Sequence, residues 1–262
     1  MDEGMTIPQI LNKTEMFTKL TVVINLILIT LFLGSSSVTA SPSEPTASYS
    51  IFLPIIAKPG PIPFGSIHEG NGTWYYATGA GNCSFPASPE NMMVAAMNHI
   101  DYANSALCGA YVQVTGPNDT IIVRIVDQCP ECPVNHIDLS QEAFAEIANL
   151  ADGRVSISWQ LVSYPLPTPI VYHFKDGSNE DWTAVQIRNH SNPITKVEYQ
   201  DSSSVFHAIP RLSYNYFVQS NGLGTGPYTF RITDHFGHTI VDSGIPHVEN
   251  GDVIGSTQFP PP

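Results

Sequence analysis

A proline-rich break past the middle of the chain most constrains how this sequence can fold. Residues Tyr164–Pro169 (YPLPTP) contain three prolines in six positions, which is typical of a short, stiff connector. The break leaves two segments, near 64–163 and 168–262, each of about 100 residues, a common domain size. No internal repeat relates the two segments, so each is expected to build its own core.

Short β-type runs dominate both segments. Thr120–Val126 is rich in β-branched residues, and in Val155–Leu161 apolar residues occupy alternate positions. The second segment has no helix signal and contains six further runs, as in a sandwich: 170–174, 184–188, 196–199, 214–219, 228–233 and 239–241. The first segment has two helix signals: Ser88–Glu90 leading into Asn91–Asn98, and the capping residue Ser140. The sequence predicts a mainly β pair of domains with short helices in the first.

The N-terminal region predicts export. Leu20–Gly34 is apolar and uncharged, but about 15 residues is short for a membrane-spanning helix. Because Val38–Ala40 fits a small-residue cleavage site, residues 1–40 are interpreted as a secretion signal, with an uncleaved anchor as the alternative. Residues 41–63 are a Pro/Ser-rich linker. We expect an extracellular protein that has no contact with the membrane after signal removal.

The charge balance excludes several classes of partner. Lys and Arg number 10 against 23 Asp and Glu, for a formal net charge of -13. Nucleic-acid binding depends on basic side chains that neutralise phosphates, so a nucleic-acid partner is not expected. The nine histidines are scattered, and no pair has metal-ligand spacing on a helix. We therefore expect no metal and no cofactor. We also expect the protein to be a monomer.

All four cysteines lie in the first segment: Cys83, Cys108, Cys129 and Cys132. In an exported chain an even number indicates disulfides, and three pairings are possible. The spacing of Cys129 and Cys132 also fits a redox dithiol, but that motif belongs at the start of a helix. Here it follows a strand, so structural disulfides are favoured over both a redox pair and a zinc site.

Two carboxylates stand at structured positions in the first segment. Asp127 ends the Thr120–Val126 run, and Asp138 comes just before the helix that Ser140 caps. Cleavage of a glycosidic bond needs one carboxylic acid and one carboxylate, which this pair could supply. Spacing alone favours the structural alternative, in which Asp127 starts a turn and Asp138 stabilises a helix N-terminus.

The motifs along the chain, taken together, resemble the expansins. The first segment carries HEGNGTWY, CGAY, VDQCP and DLS, at residues 68–75, 108–111, 126–130 and 138–140. The second carries KDG, WTAVQIRNHSNP, YNYFV and GLGTG, at residues 175–177, 182–193, 214–218 and 222–226. The resemblance covers about residues 64–262, in the domain order of bacterial expansins.

This resemblance implies a fold and an activity. The fold is a six-stranded double-psi β-barrel with short helices over residues 64–164, followed by an immunoglobulin-like β-sandwich over residues 165–262. The family binds cellulose and matrix glucans and loosens plant-type cell walls without detectable hydrolysis. By this resemblance the chain is a secreted wall-loosening protein and not an enzyme.

The site residues that the resemblance implies fall into two sets. In the barrel groove they are the essential acid and its two neighbours: Asp138, Asp127 and Thr73. On the sandwich they are two aromatics that stack on glucan rings and a polar residue beside them: Trp182, Tyr214 and Lys175. Asp181 stands where bacterial relatives often carry a second tryptophan, which predicts weaker cellulose binding.

A glycan-cleaving enzyme on the same barrel remains the alternative, either endoglucanase-like or similar to the peptidoglycan lytic transglycosylases. The appended aromatic sandwich favours wall loosening. An inverting hydrolase would need a second catalytic acid across the groove from Asp138, and the sequence offers no obvious candidate near residues 73–85.

Overall fold

The computed structural model describes residues 60–262. The predicted secretion signal, 1–40, and all but the last residues of the predicted linker, 41–63, lie outside the described residues. Within the described part of the chain, no helix is long and apolar enough to cross a membrane.

The first half forms a closed six-stranded barrel. Its strands are β1 (Ile62–Tyr75), β2 (Val94–Asn98), β3 (Tyr111–Thr115), β4 (Thr120–Cys129), β5 (Ile137–Ser140) and β6 (Arg154–Ser163). Around the barrel they follow the order β1-β5-β2-β4-β3-β6. The β1–β5 and β2–β4 pairs are parallel and the others are antiparallel. This arrangement confirms the predicted six-stranded barrel.

The helix predicted over Asn91–Asn98 is wrong. The Ser88 signal produces only a turn, in which the Asn91 N–H donates to the Ser88 carbonyl at 3.0 Å. Strand β2 follows, and all five of its residues are buried between β5 and β4, so tertiary packing overrides the local helix signal. A single helical turn, α1 (His99–Tyr102), begins only after this strand and is capped by Asn98.

The second helix signal is confirmed. Helix α2 (Gln141–Ile147) begins after Ser140, whose hydroxyl accepts the Ala143 N–H at 3.0 Å, and a short 3₁₀ turn, Leu150–Asp152, follows it. Phe144 and Ile147 of this helix are fully buried in the barrel core. The alternating apolar residues of β6 also line that core, as predicted.

The second half is a β-sandwich, which confirms the predicted fold class. Its strands are β7 (Val171–Phe174), β8 (Thr183–Arg188), β9 (Ile194–Gln200), β10 (Phe206–Ala208), β11 (Phe217–Gln219), β12 (Tyr228–Asp234), β13 (Thr239–Ile245) and β14 (Asp252–Ile254). They form two four-stranded antiparallel sheets, β10-β9-β12-β13 and β11-β8-β7-β14. Aromatic and β-branched residues such as Tyr172, Phe174 and Phe230 fill the space between the sheets. The short strands β10 and β14 have no counterpart among the predicted runs.

The disulfide prediction is confirmed, and the structure selects one of the three pairings. Cys83 pairs with Cys108 and Cys129 with Cys132, leaving no free cysteine. Cys129 ends strand β4 rather than starting a helix, so its disulfide closes a tight loop at the barrel rim. The exact domain boundaries, 64–164 and 165–262, stay a prediction, and β1 begins at Ile62.

A buried histidine lies where barrel and sandwich meet. The His190 ring bonds the Asn192 carbonyl at 2.8 Å, and a Cβ on Gly109 of the barrel would stand 2.5 Å from its Nε2. Burial, with smaller contributions from Arg211 and Arg124, lowers the pKa of His190 to about 4. This histidine is therefore neutral in the folded protein near neutral pH.

We expect His190 to make stability depend on pH. Its pKa is about 4 in the folded protein and about 6.5 when unfolded. Between these values the unfolded chain binds more protons, so the free energy of unfolding falls as pH drops, by at most about 1.4 kcal/mol per pH unit. In His190→Gln this dependence should weaken, as measured by urea unfolding from pH 7 to 5. At pH 8 the free energies of unfolding of the two proteins should differ only by the lost packing of His190. If the free energy of unfolding changed equally with pH in both proteins between pH 7 and 5, His190 would not be the source of the dependence.

Candidate functional site

Four neighbouring strands place the groove residues in one row across the barrel. Thr73 of β1 pairs with Asp138 of β5, Asp138 pairs with Ala96 of β2, and Ala96 pairs with Asp127 of β4. Ile137 and Leu139 on either side of Asp138 belong to the core, so strand alternation turns Asp138 away from it. The structure thus brings Thr73, Asp138 and Asp127 together, and only the side-chain methyl of Ala96 lies between the two acids.

Asp138 is part of a short hydrogen-bonded chain. The Thr73 hydroxyl donates to Asp138 Oδ1 and lies 2.9 Å from His136 Nε2. Since the hydroxyl has one proton, His136 Nε2 is the donor to Thr73. His136 Nδ1 is buried and has no hydrogen-bond partner within residues 60–262.

Burial controls the protonation of both ends of this chain. It raises the pKa of Asp138, against the opposing effects of the Thr73 hydrogen bond and of His136, while Glu131 and Asp127 raise it further. Burial lowers the pKa of His136, and Arg154 acts in the same direction. A carboxyl with a raised pKa can act as either a proton donor or an acceptor toward a bound hydroxyl in weakly acid conditions.

Asp127 is held rigidly in place. Its Oδ1 accepts the backbone N–H of Asn82 at 2.6 Å and that of Gln128 at 2.8 Å. Gly81 packs directly against it, because a Cβ there would stand 2.3 Å from Asp127 Cγ. Asp127 therefore presents a fixed carboxylate at the end of the row.

Tyr75 is a groove residue that the sequence reasoning missed as a site residue. It lies two positions after Thr73 on β1, on the same face. Burial, together with Asp127 and Asp138, raises the pKa of its phenol, which places the hydroxyl within the field of both acids. The Tyr75 hydroxyl is buried and has no hydrogen-bond partner in the described part of the chain. The sequence signal for Tyr75 was its position two residues after Thr73, because residues two apart on a strand face the same side.

The predicted stacking residues come together on the sandwich. Trp182 and Tyr214, both half-buried, pack against a cluster formed by Ala184, Tyr216 and Val218. Phe217, between the last two, points instead into the sandwich core, so this cluster covers the outer face of the β11-β8 pair. We call Trp182 and Tyr214 with this cluster the platform.

Lys175 lies beside the platform. Its backbone N–H donates to the Ala184 carbonyl at 3.0 Å, directly after strand β7. Tyr216 of the platform supports Tyr214 from a ring-centroid distance of 5.8 Å. Among residues 60–262 no group of three His, Cys, Asp or Glu side chains could hold a metal ion.

Comparisons with known proteins give the family. The family model described as lytic transglycolase matches residues 67–159, which lie in the barrel. Expansin-YoaJ of Bacillus subtilis (strain 168) is 35% identical over 209 residues, covering 75% of this chain and 88% of its own length.

Two crystal structures of Clavibacter michiganensis expansin have the same fold. The apo form is 33% identical with a TM-score of 0.70, and the match covers 75% of this chain and 99% of that one. An aspartate-to-asparagine mutant of that expansin, in complex with cellohexaose, is 32% identical with a TM-score of 0.71 and the same coverage. The barrel, the sandwich and the order of their motifs are thus shared with these proteins over nearly their whole length, and the chain belongs to the expansin family.

Proposed function

We propose that this chain is a secreted protein that binds cellulose and matrix glucans and loosens plant-type cell walls without hydrolysis. The observation that carries the proposal is the placement of Trp182 and Tyr214 on one outer face of the sandwich, supported by the same cluster. The cellohexaose complex of the Clavibacter relative supports a cellulose-type ligand. The predicted signal and the two disulfides support secretion.

The platform suits the flat face of a glucan chain. Sugar rings present C–H groups that pack on aromatic faces, and such contacts need no charge on either partner. Trp182 and Tyr214 keep part of their surface exposed while their inner edges are fixed by packing, so little side-chain freedom is lost on binding. Lys175 can add a hydrogen bond to a ring hydroxyl at the edge.

In the groove, Asp138 is the acid that disturbs glucan contacts. Its raised pKa lets its carboxyl exchange hydrogen bonds with sugar hydroxyls as donor or acceptor. Asp127 offers a fixed acceptor in the same row. Hydrogen bonds made here replace those between neighbouring glucan chains, which loosens the wall without breaking a covalent bond.

Glycan cleavage is the second candidate, and a specific observation favours it. Asp138 and Asp127 lie in one row on strands separated only by β2, so both carboxyl groups belong to the same part of the groove. Cleavage of a glycosidic bond uses two such carboxyl groups. The lytic transglycolase family model over the barrel points in the same direction.

Asp138→Asn should separate the two candidates. An amide cannot exchange a proton with a sugar hydroxyl, so wall extension in a creep assay on heat-killed plant wall should fall by at least about tenfold. Cellulose binding should remain within about twofold of wild type, because the platform is unaffected. Asp152→Asn, at an exposed acid of the same barrel, is the matched control. Reducing ends released from soluble glucans by wild type, and lost in Asp138→Asn, would establish cleavage instead.

Trp182→Ala should weaken binding to purified cellulose. Loss of one stacked ring costs about 1–3 kcal/mol, by analogy with base stacking on aromatics. Phe206→Ala, in the other sheet beneath the Arg231 guanidinium, should bind cellulose as wild type does. The measurement is depletion of protein from solution by insoluble cellulose.

The same assay at increasing salt tests the nature of the contact. Binding to cellulose should change little with salt, because stacking uses no charge and the protein is strongly acidic at -13. Retention on acidic pectin should be weak for the same reason. Strong, salt-sensitive retention on pectin would contradict a neutral stacking surface.

A further inference from the structure

The barrel groove and the platform are joined through one short segment. Residues Gly81–Cys83 lie in the barrel between β1 and β2, and they contact a groove acid on one side and the sandwich on the other.

On the groove side, the segment lies against Asp127 and strand β4. The Asn82 N–H donates to Asp127 Oδ1 at 2.6 Å, and the Cys83 N–H donates to the Val126 carbonyl at 3.1 Å. Gly81 is so close to Asp127 that no side chain fits there. Any shift of this segment would therefore shift Asp127.

On the sandwich side, the segment holds the main chain around Tyr214. Asn82 Nδ2 donates to the Ser213 carbonyl at 3.1 Å, and the Cys83 carbonyl accepts from Asn215 Nδ2 at 3.3 Å. Ser213 and Asn215 are the two neighbours of Tyr214 in the chain. The platform tyrosine is thus fixed on both sides by barrel residues.

Two additional bonds stiffen this joint, and the second of them is buried. The Tyr102 hydroxyl donates to the same Ser213 carbonyl at 2.9 Å, and Gln186 Nε2 donates to the Cys83 carbonyl at 2.9 Å. Cys83 is itself tied to Cys108 by a buried disulfide. Separation of the two surfaces would break the buried bond between the Gln186 amide and the Cys83 carbonyl, which is costly.

We propose that Gly81–Cys83 is a positioning segment, with Asn82 as its central residue, that holds the groove and the platform as one surface for a single cellulose chain. This rests on the proposed function, since it takes both sites to bind glucan. Two sites held in fixed geometry bind a long ligand through a high effective concentration. A ligand that occupies only one site gains nothing from the geometry, so chain length becomes the diagnostic variable.

The test compares long and short ligands in Asn82→Ala. This change keeps the backbone N–H to Asp127 and removes the side-chain bonds to Ser213, Tyr102 and Gln128. Binding to insoluble cellulose, measured by depletion, should weaken by about tenfold. Binding of cellotriose, measured by calorimetry, should stay within about twofold of wild type. That ligand occupies the platform alone, and Tyr214 keeps its packing on Tyr216 and the bond from Asn215 to the Cys83 carbonyl.

Gln160→Ala is the matched control. Its side-chain amide donates to the Gly65 carbonyl at 2.7 Å, between strands β6 and β1 of the barrel. This bond touches neither the positioning segment nor the sandwich, so both affinities should be those of wild type. A loss of long-ligand binding in this control would show that any lost side-chain amide has the effect, and would overturn the proposal.

Tyr102→Phe gives an independent second variant. It removes only the hydroxyl that bonds the Ser213 carbonyl and receives the Asn82 amide, so it should show the same split between cellulose and cellotriose. Because both side chains act on one carbonyl, the double variant should lose less than the sum of the two effects. If Asn82→Ala does not fold, Tyr102→Phe carries the test.

The outcomes distinguish this proposal from the proposed function. If Trp182→Ala binds cellulose as wild type does, the platform is not the binding surface and the proposed function fails. If Trp182→Ala loses binding while Asn82→Ala and Tyr102→Phe bind both ligands like wild type, only the positioning role is wrong. Equal losses of affinity for cellulose and for cellotriose in Asn82→Ala and in Tyr102→Phe would also overturn the positioning role.

Discussion

Closure of the barrel through β1 is the constraint on which the groove depends. Strand β1 pairs in parallel with β5 on one side and antiparallel with β6 on the other, so the residues near its end are fixed against both. The β5 pairing brings Thr73 opposite Asp138, and it does so across 65 positions of sequence. Because side chains in register across a sheet face the same way, the row continues from Asp138 to Ala96. A β-bulge at Val126 then brings Asp127 opposite Ala96. A slip of one residue in this register would turn Thr73 into the core and separate it from Asp138.

The junction between barrel and sandwich is built from neutral carbonyl acceptors rather than ion pairs. Arg211 donates to the Ser105 carbonyl at 3.0 Å and lies 4.7 Å from the centre of the Phe217 ring, and burial lowers its pKa to about 10. Within residues 60–262, no carboxylate forms a salt bridge with it. The His190 ring likewise bonds a carbonyl. Hydrogen bonds to buried carbonyls are directional and weakly screened by salt, so they fix an orientation and not merely an association.

The parts of the fold that the sequence predicted are those specified by local patterns. The alternation in β6 and the cap at Ser140 are read from residues a few positions apart. The failed helix over Asn91–Asn98 shows the limit, because burial between two other strands decided the outcome there. The disulfide pairing stayed open for the same reason: the proximity of Cys83 to Cys108 follows from the folded barrel and not from their spacing.

The residues of the candidate site also differ in whether the sequence or only the folded structure reveals them. Thr73, Asp127 and Asp138 were found through resemblance to a family, and the strand register explains why they meet. The spacing of Tyr75 from Thr73 indicates only a shared strand face, whereas its buried hydroxyl, which has no hydrogen-bond partner within residues 60–262, is visible only in the folded structure. The contacts of Asn82 with Ser213 span 131 positions, far beyond any local signal. Long-range polar contacts of this kind define the joint, and only the three-dimensional structure reveals them.

The proposed interactions of the groove and of the platform differ in kind, because one depends on the protonation of a carboxyl group and the other on aromatic stacking. This difference explains why a rigid joint between them would matter. In the proposed function, stacking on Trp182 and Tyr214 needs no ionisation, so it would hold a neutral glucan over a wide range of pH and salt. The action proposed for Asp138 depends on its protonation, and a raised pKa moves its transition toward weakly acid conditions. A chain anchored by the first site is presented to the second only if the distance between them is constant. The barrel must therefore be held against the sandwich by contacts that neither salt nor mild acid disrupts, and the carbonyl-centred bonds around Asn82 and Cys83 meet that requirement.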